Sequence, residues 1–181
     1  MLATALSLLL AMAPAHAASL AGVTLPDSAT VGGQPVVLNG MGLREKYFID
    51  IYVGALYLPA KSKDAAAAVA LDAPKRVVMH FIYKEVTAEQ MRETFAEGLA
   101  KQPGASANVK AGFATLAGMM ATVHKGDKVV LDYVPGTGTT VSFNGSKKGT
   151  IAGADFMAAV WTIYIGPNPP SGKLKKGMLG Q

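Results

Sequence analysis

Between Leu38 and Leu58 the alternation of polar and apolar positions organises the reading of the whole chain. A small-residue stretch, Gly40-Met41-Gly42, reads as a turn that opens the segment. From there the odd positions carry Glu45, Tyr47, Ile49, Ile51, Val53, Ala55 and Tyr57, and the even positions carry Arg44, Lys46, Phe48, Asp50, Tyr52, Leu56 and Leu58. Side chains on a strand point alternately to opposite faces, so the pattern predicts one long strand with its odd face on the core. The even face mixes charge with aromatic surface, which a plain solvent face does not need. On a regular strand Arg44 and Tyr52 share that face but stand roughly 26 Å apart at about 3.3 Å per residue. They reach one ligand only if the segment bends, and the bend is expected near Arg44–Lys46.

The same patterning predicts the remaining elements. Val23–Pro26, Asp27–Val31 and Val36–Leu38 read as short edge pieces broken by Gly32-Gly33 and Gln34-Pro35. Residues 61–71 are alanine-rich behind Ser62 and predict a short helix, and Lys75–Tyr83 is a β-branched strand. Thr87 followed by Gln90 is a capping box opening a helix to about Lys101, with Met91, Phe95 and Leu99 as one stripe. Ser106 is the expected cap of a second helix reaching His124. Strands follow at Lys128–Val134 and Thr139–Phe143, and Asn144-Gly145 predicts a hairpin into Gly149–Ile151. A last helix runs from Asp155 to Tyr164, stopped by Gly166-Pro167, and a lysine-rich tail ends the chain. Strands at both ends of the order with helices between them predict an α+β fold, its antiparallel sheet covered by helices on one face.

Composition narrows the function classes. The chain has 181 residues, half of them hydrophobic and 16% charged, which is the balance of a globular domain with a sizeable core. Residues 1–17 resemble an export signal: a short apolar run, Leu6–Met12, precedes the small-x-small site Ala15-His16-Ala17. That leaves 18–181 as a single domain and places the protein in the periplasm or outside the cell. The apolar run is too short to span a bilayer, and no later stretch is long and apolar enough for a membrane helix. With no cysteine, disulfides and thiolate chemistry are excluded. The net charge of +5 gathers in lysines without aromatic or arginine interleaving, so no nucleic-acid partner is expected.

No standard catalytic motif is present, neither a phosphate loop nor a nucleophile elbow nor paired metal-ligand histidines. His124 is expected at a helix end, where a cation meets the helix dipole favourably. His80 interrupts the apolar strand Val77–Tyr83 and is expected to be a hydrogen-bonded histidine on a strand face. Either is an alternative axial ligand for haem. Arg44, with Phe48 and Tyr52 on its face, fits a cation at the mouth of an apolar cavity, where a guanidinium binds a carboxylate through two parallel hydrogen bonds.

The block Gly40-Met41-Gly42-Leu43-Arg44 with Phe48–Leu58, the unit Val78–Phe81 to Glu97–Leu99, and the ending Trp161–Pro167 with Leu179-Gly180 resemble the chalcone isomerase-like family in its bacterial secreted branch. The resemblance runs from about Val23 to the end. It implies an open-faced β-sandwich, a large antiparallel sheet under a layer of helices with a cleft between. It also implies that Arg44 is the cleft arginine. The polar partners that ring closure of a chalcone needs do not carry over. The isomerase's strand threonine falls at Tyr52, its catalytic tyrosine near Val86 with Tyr83 nearest, and its late threonine or serine near Ile163. The fatty-acid-binding branch is similar in a more useful way: there an arginine and a tyrosine hold the acid, roles that fall to Arg44 and Tyr52. The expectation is therefore a binding protein for a small apolar carboxylate, walled by Phe48, Phe81 and Phe95. Haem binding and isomerase activity are the alternatives.

Overall fold

The computed structural model describes residues 17–181, so the expected leader falls outside the described residues except for Ala17. Eleven strands and five helices follow one another: β1 (Ala17–Leu20), β2 (Val23–Pro26), β3 (Ser28–Val31), β4 (Gln34–Lys46), β5 (Ile49–Leu58), α1 (Ala65–Ala70), β6 (Lys75–Phe81), β7 (Glu85–Val86), α2 (Ala88–Ala100), α3 (Ala107–Met119), β8 (Val123–His124), β9 (Lys128–Val134), β10 (Gly138–Phe143), β11 (Ser146–Ile151), α4 (Ala154–Ile165) and α5 (Gly172–Met178). A seven-stranded antiparallel sheet in the order β11-β10-β9-β6-β5-β4-β3 is the floor, with the helices laid across one face. This is the α+β architecture expected from the sequence.

The stretch Leu38–Leu58 is not one strand. It is the hairpin β4–β5, turning at Tyr47-Phe48, both with positive φ (50° and 65°). Neither residue carries a turn signal, because tyrosine and phenylalanine both favour extended backbone. Gly40-Met41-Gly42 is correspondingly not a turn but the middle of β4. Its glycines make room for α5. A Cβ on Gly42 would stand 2.1 Å from the Leu174 carbonyl oxygen, and one on Gly40 2.1 Å from that of Gly177. Gly54, the cross-strand partner of Gly42, would meet Leu174 Cδ1 at 2.5 Å. The lysine-rich tail is thus a docked helix, with Leu174 and Met178 wholly buried against this bare patch. Asn39 fastens it, donating from Nδ2 to the Met178 carbonyl at 2.8 Å.

The expected single core face is also corrected. Both faces of β5 are buried. Tyr52, Leu56 and Leu58 lie under the helices with Trp161, Phe156 and Phe113. Val53, Ala55 and Tyr57 form a smaller core on the other side with Val23 and Leu25 of the β1–β2 hairpin. That hairpin supplies the second layer, which is why the odd set is apolar without facing the main core.

Local signals held where their chemistry was complete. The Thr87–Gln90 capping box is formed in both directions, Ser106 caps α3, and Asn144-Gly145 turns β10 into β11. The first helix is capped by Asp64 rather than Ser62. Helix α3 ends at Met119, five residues before His124, because Val123 is buried and pairs with Val86 in the small β7–β8 ladder.

Lys75 is fully buried, and its Nζ donates to the carbonyls of Ala68 (2.8 Å) and Val69 (3.0 Å) at the end of α1. Burial lowers its pKa from 10.5 to about 8, partly opposed by Asp72. The folded pKa therefore lies below the unfolded one, and between these values the unfolded chain binds more protons. Stability should rise with pH across that window. Tyr57 and Tyr133 move the other way, their pKa raised by burial from 10.0 to about 12, so stability falls again as pH climbs beyond their ordinary value. Thermal melts should show a gain on the order of 2 kcal/mol from pH 8 toward 10, and Lys75→Met should flatten that rise; an equal slope in both proteins would refute the assignment.

Candidate functional site

A cleft opens between the end of the sheet and the helix layer. Its deep walls are Met79 and Phe81 from β6, Met91 and Phe95 from α2, and Ile163 and Tyr164 from α4, all buried. Met91 and Phe95 stand four residues apart, one turn of α2, and so present one apolar surface to the cleft. Arg44, Lys46, Tyr83, Glu85, Gln90 and Thr94 also line the cleft and bring its polar groups. The cavity volume is about 100 Å³, below the ~300–1,000 Å³ common for ligand sites, so a slim alkyl chain suits it better than a fused-ring ligand.

Folding at Tyr47-Phe48 brings the two key residues together. Arg44 and Tyr52 are direct cross-strand partners, and the register shifts between Arg44 and Glu45 where a bend was expected. Cβ atoms of such partners lie about 5 Å apart, against the ~26 Å of a single strand. Tyr52 is 5% exposed and stacks at a tilt on Phe81, ring centroids 5.4 Å apart. Burial drives the Tyr52 pKa well up, and the nearby Arg44 charge opposes this only in part. Tyr52 thus stays a protonated hydroxyl, a donor at any ordinary pH. The Tyr164 pKa is also raised, by burial and by the neighbouring Tyr52, and its hydroxyl contacts Met79 Sδ at 3.2 Å. The Arg44 guanidinium donates to the neighbouring Glu45 carbonyl, and among the described residues no carboxylate forms an ion pair with it. Glu85 is instead paired with His124, Nε2 to Oε2 at 3.2 Å.

Of the residues singled out from the sequence, Arg44, Tyr52, Phe81 and Phe95 line one cleft. Phe48 does not. It sits at the hairpin tip, fully exposed, because the turn carries it past the end of the sheet. His80 lies on the opposite sheet face from Phe81; its Nδ1 is buried with no hydrogen-bond partner among the described residues, and burial with the Lys128 charge lowers its pKa. It is not the hydrogen-bonded histidine expected. His124 is exposed in β8 between Glu85 and Asp127, not at a helix end. Neither histidine lines the cleft. Met79, Met91, Ile163 and Tyr164 were legible only as core residues; nothing local distinguishes a cleft wall from a core wall. Among the described residues no cluster of three metal-ligating side chains occurs, and no helix is long and apolar enough to cross a membrane.

An antiparallel sheet with a helix-covered apolar cleft, entered beside an arginine and a buried tyrosine, defines the α+β class of the fold. The chalcone isomerase-like family matches residues 17–180, and the chain belongs to that family. Among solved structures, a fatty-acid binding protein of Arabidopsis thaliana is similar with a TM-score of 0.72 at 16% identity, over 91% of this chain and 96% of that one. No curated protein matches at a significant level.

Proposed function

We propose that the protein binds an apolar carboxylic acid, such as a fatty acid, without transforming it. The observation that carries this reading is the cross-strand pairing of Arg44 with Tyr52 at a cleft whose inner walls are apolar. Arg44 supplies a fixed charge and two parallel donors, Tyr52 adds a protonated hydroxyl, and the chain lies against Phe81, Met91 and Phe95. The similar fold of a protein that binds fatty acids supports the reading. Extraction of the purified protein followed by mass spectrometry should recover an apolar carboxylic acid. Titration should favour the acid over its methyl ester; equal affinity for both would sink the carboxylate site.

Turnover has less to stand on. The positions where the resemblance places the isomerase's remaining polar groups are Val86 and Ile163, both lining the cleft and both apolar. Tyr83 also lines it, so Tyr83→Phe is the control: a chalcone cyclisation rate above the spontaneous one, lost in that variant, would overturn the non-catalytic reading. Haem would have to use His80 or His124, both off the cleft, and the Soret band of added haem is expected to stay where it is without protein. We also propose export to the periplasm or beyond. Cleavage before Ala18 would remove Ala17, which pairs with Pro26 at the end of β1, and terminal sequencing of the mature protein should begin at Ala18.

A further inference from the structure

We propose that the tip of the β4–β5 hairpin is a membrane-docking finger, which inserts Tyr47, Phe48 and Ile49 into the headgroup region of an anionic phospholipid surface. The inference goes beyond ligand binding in the cleft and holds whatever occupies that cleft.

Four observations carry it. First, the exposed large apolar side chains among the described residues are Tyr47 (85%), Phe48 (103%), Ile49 (45%) and Leu71 (36%), and three of the four are consecutive here. A contiguous exposed apolar patch marks a contact surface, where scattered ones do not.

Second, the backbone does not favour these residues. Tyr47 and Phe48 both adopt positive φ, a region that bulky side chains avoid and that a two-residue hairpin ordinarily fills with Asn-Gly. The other two-residue turns between paired strands among the described residues, Ala21-Gly22, Gly32-Gly33 and Asn144-Gly145, also adopt positive φ at both residues, and each has glycine at the second. Each of those turns has at least one glycine to relieve the backbone; this tip has none and carries two aromatics against the local preference. Strain of this kind points to a role for the side chains themselves.

Third, the tip is a projecting finger rather than a flat face. Pairing of β5 with β6 begins at Tyr52, so residues 45–50 pair with each other across the hairpin, and the polar contacts beyond it among the described residues are the Arg44 bond to the Glu45 carbonyl and the Lys173–Glu45 ion pair to α5. Phe48 stands four residues beyond Tyr52, roughly 13 Å at about 3.3 Å per residue. A stable protein interface needs about 800 Å² from each partner, far more than three residues on a convex tip present. A bilayer accepts such a wedge, because phenol and apolar rings sit well at its interface.

Fourth, the charges fit an anionic surface. Lys46 is exposed and holds its ammonium 5.9 Å from the Tyr47 ring centroid, directly behind the tip. Arg44, Lys46 and Lys173 outnumber Glu45 and Asp50 on this part of the molecule, and the whole chain carries +5. Lys46 and Ile51 also line the cleft, so the finger joins the membrane surface to the cleft.

The test is sedimentation of the full chain with vesicles of phosphatidylethanolamine and phosphatidylglycerol, and separately with vesicles of phosphatidylcholine. The intact protein should partition onto the anionic vesicles, more weakly onto the neutral ones. The double substitution Tyr47→Asn with Phe48→Gly should lower that partition by roughly tenfold to a hundredfold. Because it installs preferred turn residues, it should leave the thermal midpoint unchanged or raised, so the loss is not one of folding. Lys46→Glu should weaken binding to the anionic vesicles selectively. Fatty-acid affinity should persist in the double variant, which separates failure of the finger from failure of the cleft. Equal partition of both proteins, or none by the intact protein, would overturn the proposal. So would a dimer of the intact protein that the double substitution abolishes, since the tip would then be a contact between copies of the chain.

Discussion

Arg44→Ala should weaken fatty-acid binding by about thirtyfold or more while the protein stays folded. The size follows from leaving a carboxylate in a partly desolvated cleft without its cation, a loss of about 2–5 kcal/mol for a buried hydrogen-bonded charge pair. Folding should be little affected. Arg44 is half-buried, and its one hydrogen bond is to the carbonyl of the adjacent Glu45. Two controls isolate the effect. Lys46→Ala removes the other cation lining the cleft, but Lys46 is exposed and screened, so its loss should cost only a few-fold. Arg44→Lys keeps the charge and gives up the two parallel donors, so it should fall between wild type and alanine. Calorimetric titration with a fatty acid and its methyl ester reads all three; an ester whose affinity fell in parallel with the acid would mean that Arg44 acts on the cleft's shape, not on charge.

Gly42→Val should destabilise the fold by about 3–5 kcal/mol and release α5. Any Cβ at this position would meet backbone, the Leu174 carbonyl oxygen at 2.1 Å, and no side-chain rotation relieves that. The helix must lift. With it goes part of the burial of Leu174, Met178 and Leu179, each about 1.5–3 kcal/mol when fully buried, and the Asn39–Met178 hydrogen bond is strained or lost. Denaturant unfolding measures the loss, and hydrogen exchange should show the amides of Leu174–Leu179 opening first. Gly104→Val is the control: nothing lies within 4 Å of a Cβ there, and it should be nearly silent. A Gly42→Val protein with wild-type stability and a protected α5 would mean that the close packing of α5 on β4 is misdescribed.

The elements read correctly from the sequence were those whose signals are local and chemically complete. Thr87 with Gln90, Ser106, and Asn144-Gly145 each satisfy or shape their own backbone within a few residues. The errors came where tertiary contact decided. Tyr47-Phe48 turns a hairpin with no turn residue in it, so a strand pattern ran on through the bend. The glycines at 40 and 42 read as a turn because glycine usually frees the backbone; here the missing side chain matters, and the helix that needs the space is 130 residues away. That helix, α5, is seven residues long with glycine at both 172 and 177, too short and too weak to stand without the sheet beneath it. The site was legible in part. Arg44 and Tyr52 were named from the family resemblance together with charge and aromatic placement, Phe81 and Phe95 as apolar wall, and the four do share a cleft. Phe48 failed because one reversal of chain direction moved it from the cleft face to the tip.

The orientation of a bound acid tests the central claim most directly. A fatty acid isotope-labelled at its carboxyl carbon, titrated by NMR in complex with the protein, should keep its charge to lower pH than the free acid, because the Arg44 guanidinium favours the ionised form. Its nearest protons should show contacts to the ring of Tyr52, and its methyl end contacts to Met91 or Phe95. A carboxyl group that titrates as in free solution, or one that sits at Phe95 with the methyl end at Tyr52, would contradict the account.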